Sequence, residues 1–148
     1  MSSRHETYSL LTWRDEHAEI ERRVHAIERA VVAATVEVAT RAMDDFADAL
    51  EGHFSVEERV YLPMVERLSP RGAAFSASVR LAHAQLRQSL EQLRELVELA
   101  RWPEARRSVV LLAERFRSHE ADEHDFVDEV IQLDPDQGRR TFPEFSSD

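Results

Sequence analysis

Six residues of the types that bind metal ions recur in this sequence at one offset of 66 positions (83 − 17, 119 − 53 and 123 − 57). Each member of the first set has an identical counterpart in the second, and the two sets are His17, His53, Glu57 and His83, His119, Glu123. In each set the second histidine and the glutamate are four residues apart, which places both on one face of a helix. The pattern predicts two helical hairpins that each bring two imidazoles and one carboxylate to a dinuclear metal site.

The composition limits which metals and partners can be considered. The chain has no cysteine, which excludes disulfides, zinc–thiolate sites and iron–sulfur clusters, so any metal must be bound by nitrogen and oxygen. Imidazole and carboxylate ligands suit iron, zinc or manganese, whereas calcium and magnesium prefer oxygen ligands. A net charge of −10 argues against nucleic acid as a partner, because this surface would repel phosphate.

Length and hydropathy indicate one soluble domain. A chain of 148 residues can bury a single core, and only 3 Gly and 5 Pro favour an almost entirely helical protein. No apolar run approaches the ~20 residues that span a bilayer, so we expect no membrane partner. The N-terminal segment lacks the apolar stretch of a signal peptide, and we therefore expect a cytoplasmic protein. No protein partner can be named from the sequence.

Apolar residues three or four positions apart predict four helices, at about 9–33, 35–68, 74–101 and 102–133. Thr35 is expected to cap the second helix, and Pro63 to bend it just after the ligand-bearing turns. Short loops between long helices indicate an all-α, antiparallel, up-down-up-down four-helix bundle over residues 1–133. Residues 134–148 show no helical period and are predicted to form a C-terminal tail. In such a bundle the distances from the four histidines to the loops place all four in one core layer.

Burial of the six polar side chains is itself an argument for metal. Two carboxylates and four imidazoles without partners in a bundle interior would cost several kcal/mol each. Two histidines for each ion, with both carboxylates bridging, would give each metal four protein donors. An exchangeable position could then stay open, as metal-based chemistry requires.

The other histidines and the aromatic residues on the ligand stripe have simpler interpretations. His5 and His25 lie away from the site and are interpreted as non-ligands. His124 competes with Glu123 for the role of ligand, and the repeat favours Glu123. Trp13 and Tyr61 are interpreted as core aromatics, with the alternative that Tyr61 donates a hydrogen bond or an electron to the site.

The segments that carry these residues resemble the hemerythrin-like (HHE cation-binding) family over roughly residues 8–133. They are His17, His53-Phe-Ser-Val-Glu57-Glu58, Tyr61-Leu62-Pro63, His83 and His119-Glu-Ala-Asp-Glu123. The resemblance implies a hemerythrin-like bundle and a non-haem di-iron centre, with two iron ions bridged by oxo or hydroxo and by Glu57 and Glu123. Zinc is the alternative metal.

Two positions depart from the oxygen-carrying members of that family. Those proteins have a further histidine where this chain has Arg87, and a bridging aspartate where it has His124. The chain is more similar to the branch with two histidines per iron, which is linked to iron, peroxide or nitric oxide chemistry. Arg87 either reaches solvent or an acidic neighbour, or places a positive charge near the site that attracts a small anion.

Two classes of function follow from this resemblance. The first is a redox enzyme of oxidative stress that reacts with O2, peroxide or nitric oxide, most concretely by catalase-like peroxide disproportionation. Its catalytic residues cannot be named from the sequence. The second is a non-catalytic iron, oxygen or redox sensing module. Ferritin-like iron oxidation is disfavoured, because no histidine follows a glutamate by three positions.

Overall fold

The computed structural model describes the backbone of residues 10–133 and the side chains of residues 13–129. Its elements are α1 (Leu10–Val32), α2 (Val36–Val56), a π turn (Glu57–Tyr61), α3 (Leu62–Leu68), α4 (Gly72–Glu98) and α5 (Trp102–Leu133). Because α2, the π turn and α3 follow one another without a gap, they form one rod, and the described chain consists of four such rods. The rod α1 packs against α2 and α5, and α4 packs against the second rod and α5. The predicted all-α four-helix bundle is confirmed.

Most predicted helix ends lie within about three residues of the observed ends, a normal margin for such assignments. Thr35 is the N-cap residue of α2, as predicted, with extended backbone, but its side chain makes no capping hydrogen bond. Its Oγ1 instead donates to the carbonyl oxygen of Ala33 at 3.4 Å. The predicted tail, residues 134–148, lies outside the described residues, so the boundary after residue 133 stays a prediction. No helix in the described part of the chain has both the length and the hydrophobicity needed to cross a bilayer.

The 66-residue repeat extends to the turns that join the helices. The last residues of α1 and α4 are 66 positions apart (98 − 32), and so are the first residues of α2 and α5 (102 − 36). Ala34 and Ala100, also 66 apart, both have left-handed backbone, with φ of 56° and 51°. Their N–H groups donate to the carbonyl oxygens of Val31 at 3.1 Å and Val97 at 3.0 Å, respectively. The two hairpins therefore have the same turn as well as the same predicted ligands.

Two apolar clusters lie on either side of the layer that contains the predicted ligands. The larger includes Ile20 and Phe116, and the smaller includes Trp13 and Phe126. On α1 the order is Trp13, His17, Ile20, so the histidine lies between the clusters. Burial of each large apolar side chain contributes about 1.5–3 kcal/mol, which is how the clusters hold the polar layer in place.

The π turn begins at a predicted ligand. The N–H of Leu62 donates to the carbonyl oxygen of Glu57, five residues earlier, instead of the usual four. Pro63, the second residue of α3, has no N–H to donate, and it therefore disturbs the hydrogen bonding of the turn before it. The disturbance expected just after the ligand-bearing turns thus falls on the turn that starts with Glu57.

Gly72 fixes the junction between α3 and α4. A Cβ atom at this position would lie 2.2 Å from the carbonyl oxygen of Val65 and 2.6 Å from Cα of Glu66. Both are backbone atoms that cannot move aside, so only glycine lets α4 begin this close to α3. This approach sets the position of α4, which carries His83.

Candidate metal centre

All six predicted ligands meet in the layer between the two apolar clusters. Each side chain is buried, and His119 is the most exposed of the four histidines at 7 %. Their donor atoms form two groups, and within each group the atoms lie within 4.8 Å of one another. The first group is His17, His53, Glu57 and Glu123, and the second is Glu57, His83, His119 and Glu123. The two groups therefore share both carboxylates.

The Nε2 atoms of the histidines point at one another and at the carboxylates. The distance between Nε2 of His17 and Nε2 of His53 is 2.7 Å. Oε1 of Glu57 lies 2.9 Å from Nε2 of His53 and 3.4 Å from Nε2 of His83, and Nε2 of His119 contacts Oε1 of Glu123. Two donors that bind one ion at about 2.1 Å and at right angles are about 3 Å apart. The observed spacing fits donors around common ions.

Several buried polar atoms of this layer make no aligned hydrogen bond, although some of them lie in close contact with one another. Within the described residues no well-aligned hydrogen bond reaches either carboxylate oxygen of Glu57 or Glu123, or Nε2 of His83 or His119. Such unsatisfied groups are rare in protein interiors and cost about 1–3 kcal/mol each, more when charged. A set of nitrogen and oxygen donors without sulfur suits iron, zinc or manganese. The residues present therefore fit a pair of such ions.

The two carboxyl groups have opposite protonation tendencies without metal. Burial alone would raise the pKa of Glu57, but contacts with Glu123 and with His53 hold it well below its ordinary value. Burial and the charge of Glu57 raise the pKa of Glu123 well above its ordinary value. Burial would lower the pKa of His53, but Glu57 and Glu16 outweigh it and raise this pKa to about 9. Without metal, the layer therefore favours ionisation of Glu57 and a proton on both His53 and Glu123.

Two other histidines of the layer are neutral. Burial, together with the neighbouring His53, lowers the pKa of His17 to about 2. Burial lowers the pKa of His119 to about 4, although Glu57 opposes it. Neutral imidazole is the form that binds metal, so these side chains need not lose a proton first.

Two carboxylates outside the predicted set lie against the outer nitrogens of two of the histidine rings. Nδ1 of His53 lies 2.6 Å from Oε2 of Glu16, and Nδ1 of His83 lies 3.0 Å from Oε1 of Glu58. When Nδ1–H donates to a carboxylate, Nε2 keeps its lone pair for a metal and the ring cannot rotate freely. Sequence reasoning missed Glu16 and Glu58, although each is adjacent in sequence to a predicted ligand.

His124 is the counterpart of Glu58 under the 66-residue repeat (124 − 58). Its Nε2 lies 3.0 Å from Nδ1 of His17, just as Glu58 lies against Nδ1 of His83. His124 belongs to a third group of close donors with His17 and Glu120, and to neither shared group. If the third group also bound a metal, the ring of His17 would bind metals through both of its nitrogens and would have to lose both ring protons. We therefore interpret His124 as the hydrogen-bond partner of His17.

The remaining residues singled out from the sequence have clear positions. His25 is exposed between Glu21 and Glu28, at 3.5 Å and 3.7 Å, away from the layer. His5 lies outside the described residues. The guanidinium of Arg87 donates to both oxygens of Glu51, at 2.7 Å and 3.0 Å. Of the two interpretations of Arg87, the structure supports the contact with an acidic neighbour.

Two aromatic side chains cover the layer on the side of the smaller cluster. The ring of Trp13 lies 4.3 Å from that of His17 and 5.5 Å from that of Tyr61, between centroids. Both aromatic side chains are fully buried. Burial raises the pKa of Tyr61, and the neighbouring Glu123 and Glu57 add to the rise, so its hydroxyl keeps its proton.

Comparison with known proteins identifies the family. No curated protein and no solved structure matches the chain. The family model described as the hemerythrin HHE cation binding domain matches residues 10–128, which include all six residues of the layer. Members of this family bind metal ions, typically iron, and through them small ligands such as O2. The chain belongs to the hemerythrin family of HHE cation-binding domains.

Proposed function

We propose that this chain binds two iron ions in the buried layer and shares both carboxylates between them. One ion would be held by His17 and His53, the other by His83 and His119, and both by Glu57 and Glu123. The observation that carries the proposal is that the two groups of close donors have these two glutamates in common. The unsatisfied atoms of the carboxylates and of two imidazoles support it, because ions at these positions would complete their coordination.

The reaction we propose is the disproportionation of hydrogen peroxide. One peroxide molecule gives up two electrons and two protons and becomes O2, and a second takes them up and becomes two water molecules. A bound iron pair would supply this two-electron exchange by changing between ferric and ferrous states, so no external electron donor would be required. Tyr61, whose raised pKa keeps its hydroxyl protonated, would donate a hydrogen bond to peroxide at this site.

A sensing module is the second candidate, because the same buried site would bind O2 or nitric oxide without turnover. The two functions differ in one measurable respect. A peroxide-consuming enzyme releases O2 for many cycles per chain, whereas a sensor binds its ligand and stops. Both functions are compatible with Arg87 at the position where the oxygen carriers have a further histidine.

The test begins with metal content and an absorption spectrum of protein purified from iron-supplemented cells. We expect two iron ions per chain, charge-transfer bands in the near ultraviolet, and O2 release from peroxide. His83→Ala should lose both iron and O2 release. The exposed His25→Ala is the matched control and should keep both. Zinc or no metal in wild-type protein, or full O2 release by a variant without iron, would contradict the proposal.

A further inference from the structure

The two halves of the repeat differ at one position beside the site. Glu16 lies against Nδ1 of His53 in the first half, at 2.6 Å. The residue 66 positions later is Ala82, and the histidine equivalent to His53 is His119. Nδ1 of His119 has no hydrogen-bond partner among the described residues. The alanine leaves open the space that a carboxylate fills in the other half.

A groove between α4 and α5 occupies this space. Its volume is ≈ 230 Å³, and its lining includes His119 and Ala82. A water molecule takes up about 30 Å³ of liquid, so the groove has room for several molecules of that size. Hydroxyl and amide groups of Ser118 and Gln85 also line it. It is therefore a partly polar groove, and one part of its wall is a proposed metal ligand.

The other three histidines of the layer are covered. His17 is 2 % exposed beneath Trp13 and His124, with ring centroids 4.3 Å and 5.2 Å away. His53 is 3 % exposed, and Glu16 occupies its outer nitrogen. A second groove, of ≈ 390 Å³, lies nearby, but its wall is His124 rather than His17.

The ring of His83 is closed off by a stack of side chains. Phe54 stacks on it with ring centroids 3.6 Å apart, and Arg87 lies over Phe54 at 5.1 Å. The carboxylate of Glu58 lies 3.0 Å from Nδ1 of His83. His83 itself has no exposed surface. Of the four histidines, His119 alone forms part of the wall of a groove described here.

We infer that the groove over His119 is the entry and binding site for a small uncharged polar molecule such as hydrogen peroxide. This inference rests on the proposed function, since it concerns the route to the same metal pair. The lining explains the choice of an uncharged molecule. Asp122 and Arg115 contribute opposite charges, and Arg115 is already committed to Ser89, to which it donates at 2.5 Å. Ser118 and Gln85 offer both donors and acceptors, as peroxide requires.

The experiment closes the groove and measures entry. Ala82→Leu and Ser118→Leu each place an apolar side chain in the groove, and Ser118 is exposed, so its replacement leaves the core intact. Ala121→Leu is the matched control, because Ala121 lines the second groove on the same helix. The probe is nitric oxide, a small uncharged molecule, mixed rapidly with the iron-loaded ferrous protein. Iron content and the nitric oxide association rate are measured for each variant.

We expect both groove variants to keep their iron and to bind nitric oxide at least about tenfold more slowly, equivalent to a ~1.4 kcal/mol higher barrier. The control should bind at the wild-type rate. Wild-type rates in both Ala82→Leu and Ser118→Leu would overturn the entry site while leaving the proposed function intact. Wild-type protein that holds iron but binds no nitric oxide and consumes no peroxide would overturn both.

Discussion

Glu57 and Glu123 occupy equivalent positions of the repeat, yet in the metal-free chain their pKa values shift in opposite directions. The pKa of Glu57 is held well below its ordinary value, and that of Glu123 is raised well above it. The metal-free layer therefore favours the ionised form of Glu57 and the protonated form of Glu123. Replacement by glutamine, which is neutral, removes a charge at the first position and none at the second. We predict that Glu57→Gln destabilises the metal-free protein much more than Glu123→Gln.

The size of the difference follows from His53. Its pKa rises from 6.5 to about 9, which corresponds to about 3 kcal/mol of stabilisation of the charged imidazole. Glu57, 2.9 Å from Nε2, is the largest favourable contribution to that rise, ahead of Glu16. Loss of one partner of a buried ion pair typically costs about 3–5 kcal/mol. Because removal of the Glu57 charge also removes its own desolvation, we expect a net loss of about 2–3 kcal/mol. Glu123→Gln should change stability by less than about 1 kcal/mol, since a neutral group replaces a neutral group.

The assay is urea unfolding of chelator-treated protein at pH 7. Glu95→Gln, on the exposed face of α4, is the control for loss of a carboxylate alone and should match wild type. Iron content after loading provides the second readout, in which Glu57→Gln and Glu123→Gln should both be deficient. Equal destabilisation of the two metal-free variants would refute the assigned protonation states. A larger loss for Glu123→Gln would do so as well.

Four further predictions concern pH, metal loading, ring orientation and the turns. The folded metal-free protein keeps a proton on His53 that the unfolded chain releases above pH 6.5, so its contribution should fall by ~3 kcal/mol between pH 6.5 and 9. Iron-loaded protein should melt at a higher temperature than metal-free protein at pH 7; equal melting would count against a buried site. Glu58→Gln removes the carboxylate at Nδ1 of His83 and should weaken iron binding about 10–100-fold in a chelator competition, whereas unchanged affinity would exclude an orienting role. Ala34→Gly and Ala100→Gly relieve left-handed backbone at φ 56° and 51° and should each stabilise the protein by about 0.5–1 kcal/mol in urea, and a loss of stability would contradict the assigned strain.

Much of the architecture could be predicted because the sequence contains it twice. The spacing of His53 and Glu57 within one helix and their recurrence 66 residues later constrained the helices, their order and the common height of the layer. Few glycines and prolines left no alternative to long helices. The structure extends this repeat to features that no periodicity in side-chain type reveals. Ala34 and Ala100, two alanines in left-handed backbone, terminate their helices at equivalent positions.

The π turn and the carboxylates behind the rings could not be predicted from periodicity. A π turn adds one residue to a helix, and the local signal for it in this chain was Pro63, whose missing N–H disturbs the preceding turn. Glu16 and Glu58 are half-buried residues in a chain rich in surface glutamate, so their type alone does not distinguish them. Comparison of Glu58 with His124, its counterpart in the repeat, would have indicated that both face a histidine ring.

The repeat also explains why the two halves of the site are chemically unequal. The six buried residues are identical in both halves, whereas the positions behind the histidine rings have diverged. The carboxylate of Glu58 corresponds to the neutral ring of His124, and that of Glu16 corresponds to Ala82. Each proposed ion is thus left with one histidine supported by a carboxylate, and only the half that contains His119 has space where a carboxylate would be. The ligands are the same in both halves, but the residues around them differ. We therefore expect an incoming small molecule to approach the metal pair from the side of His119 and to exchange there.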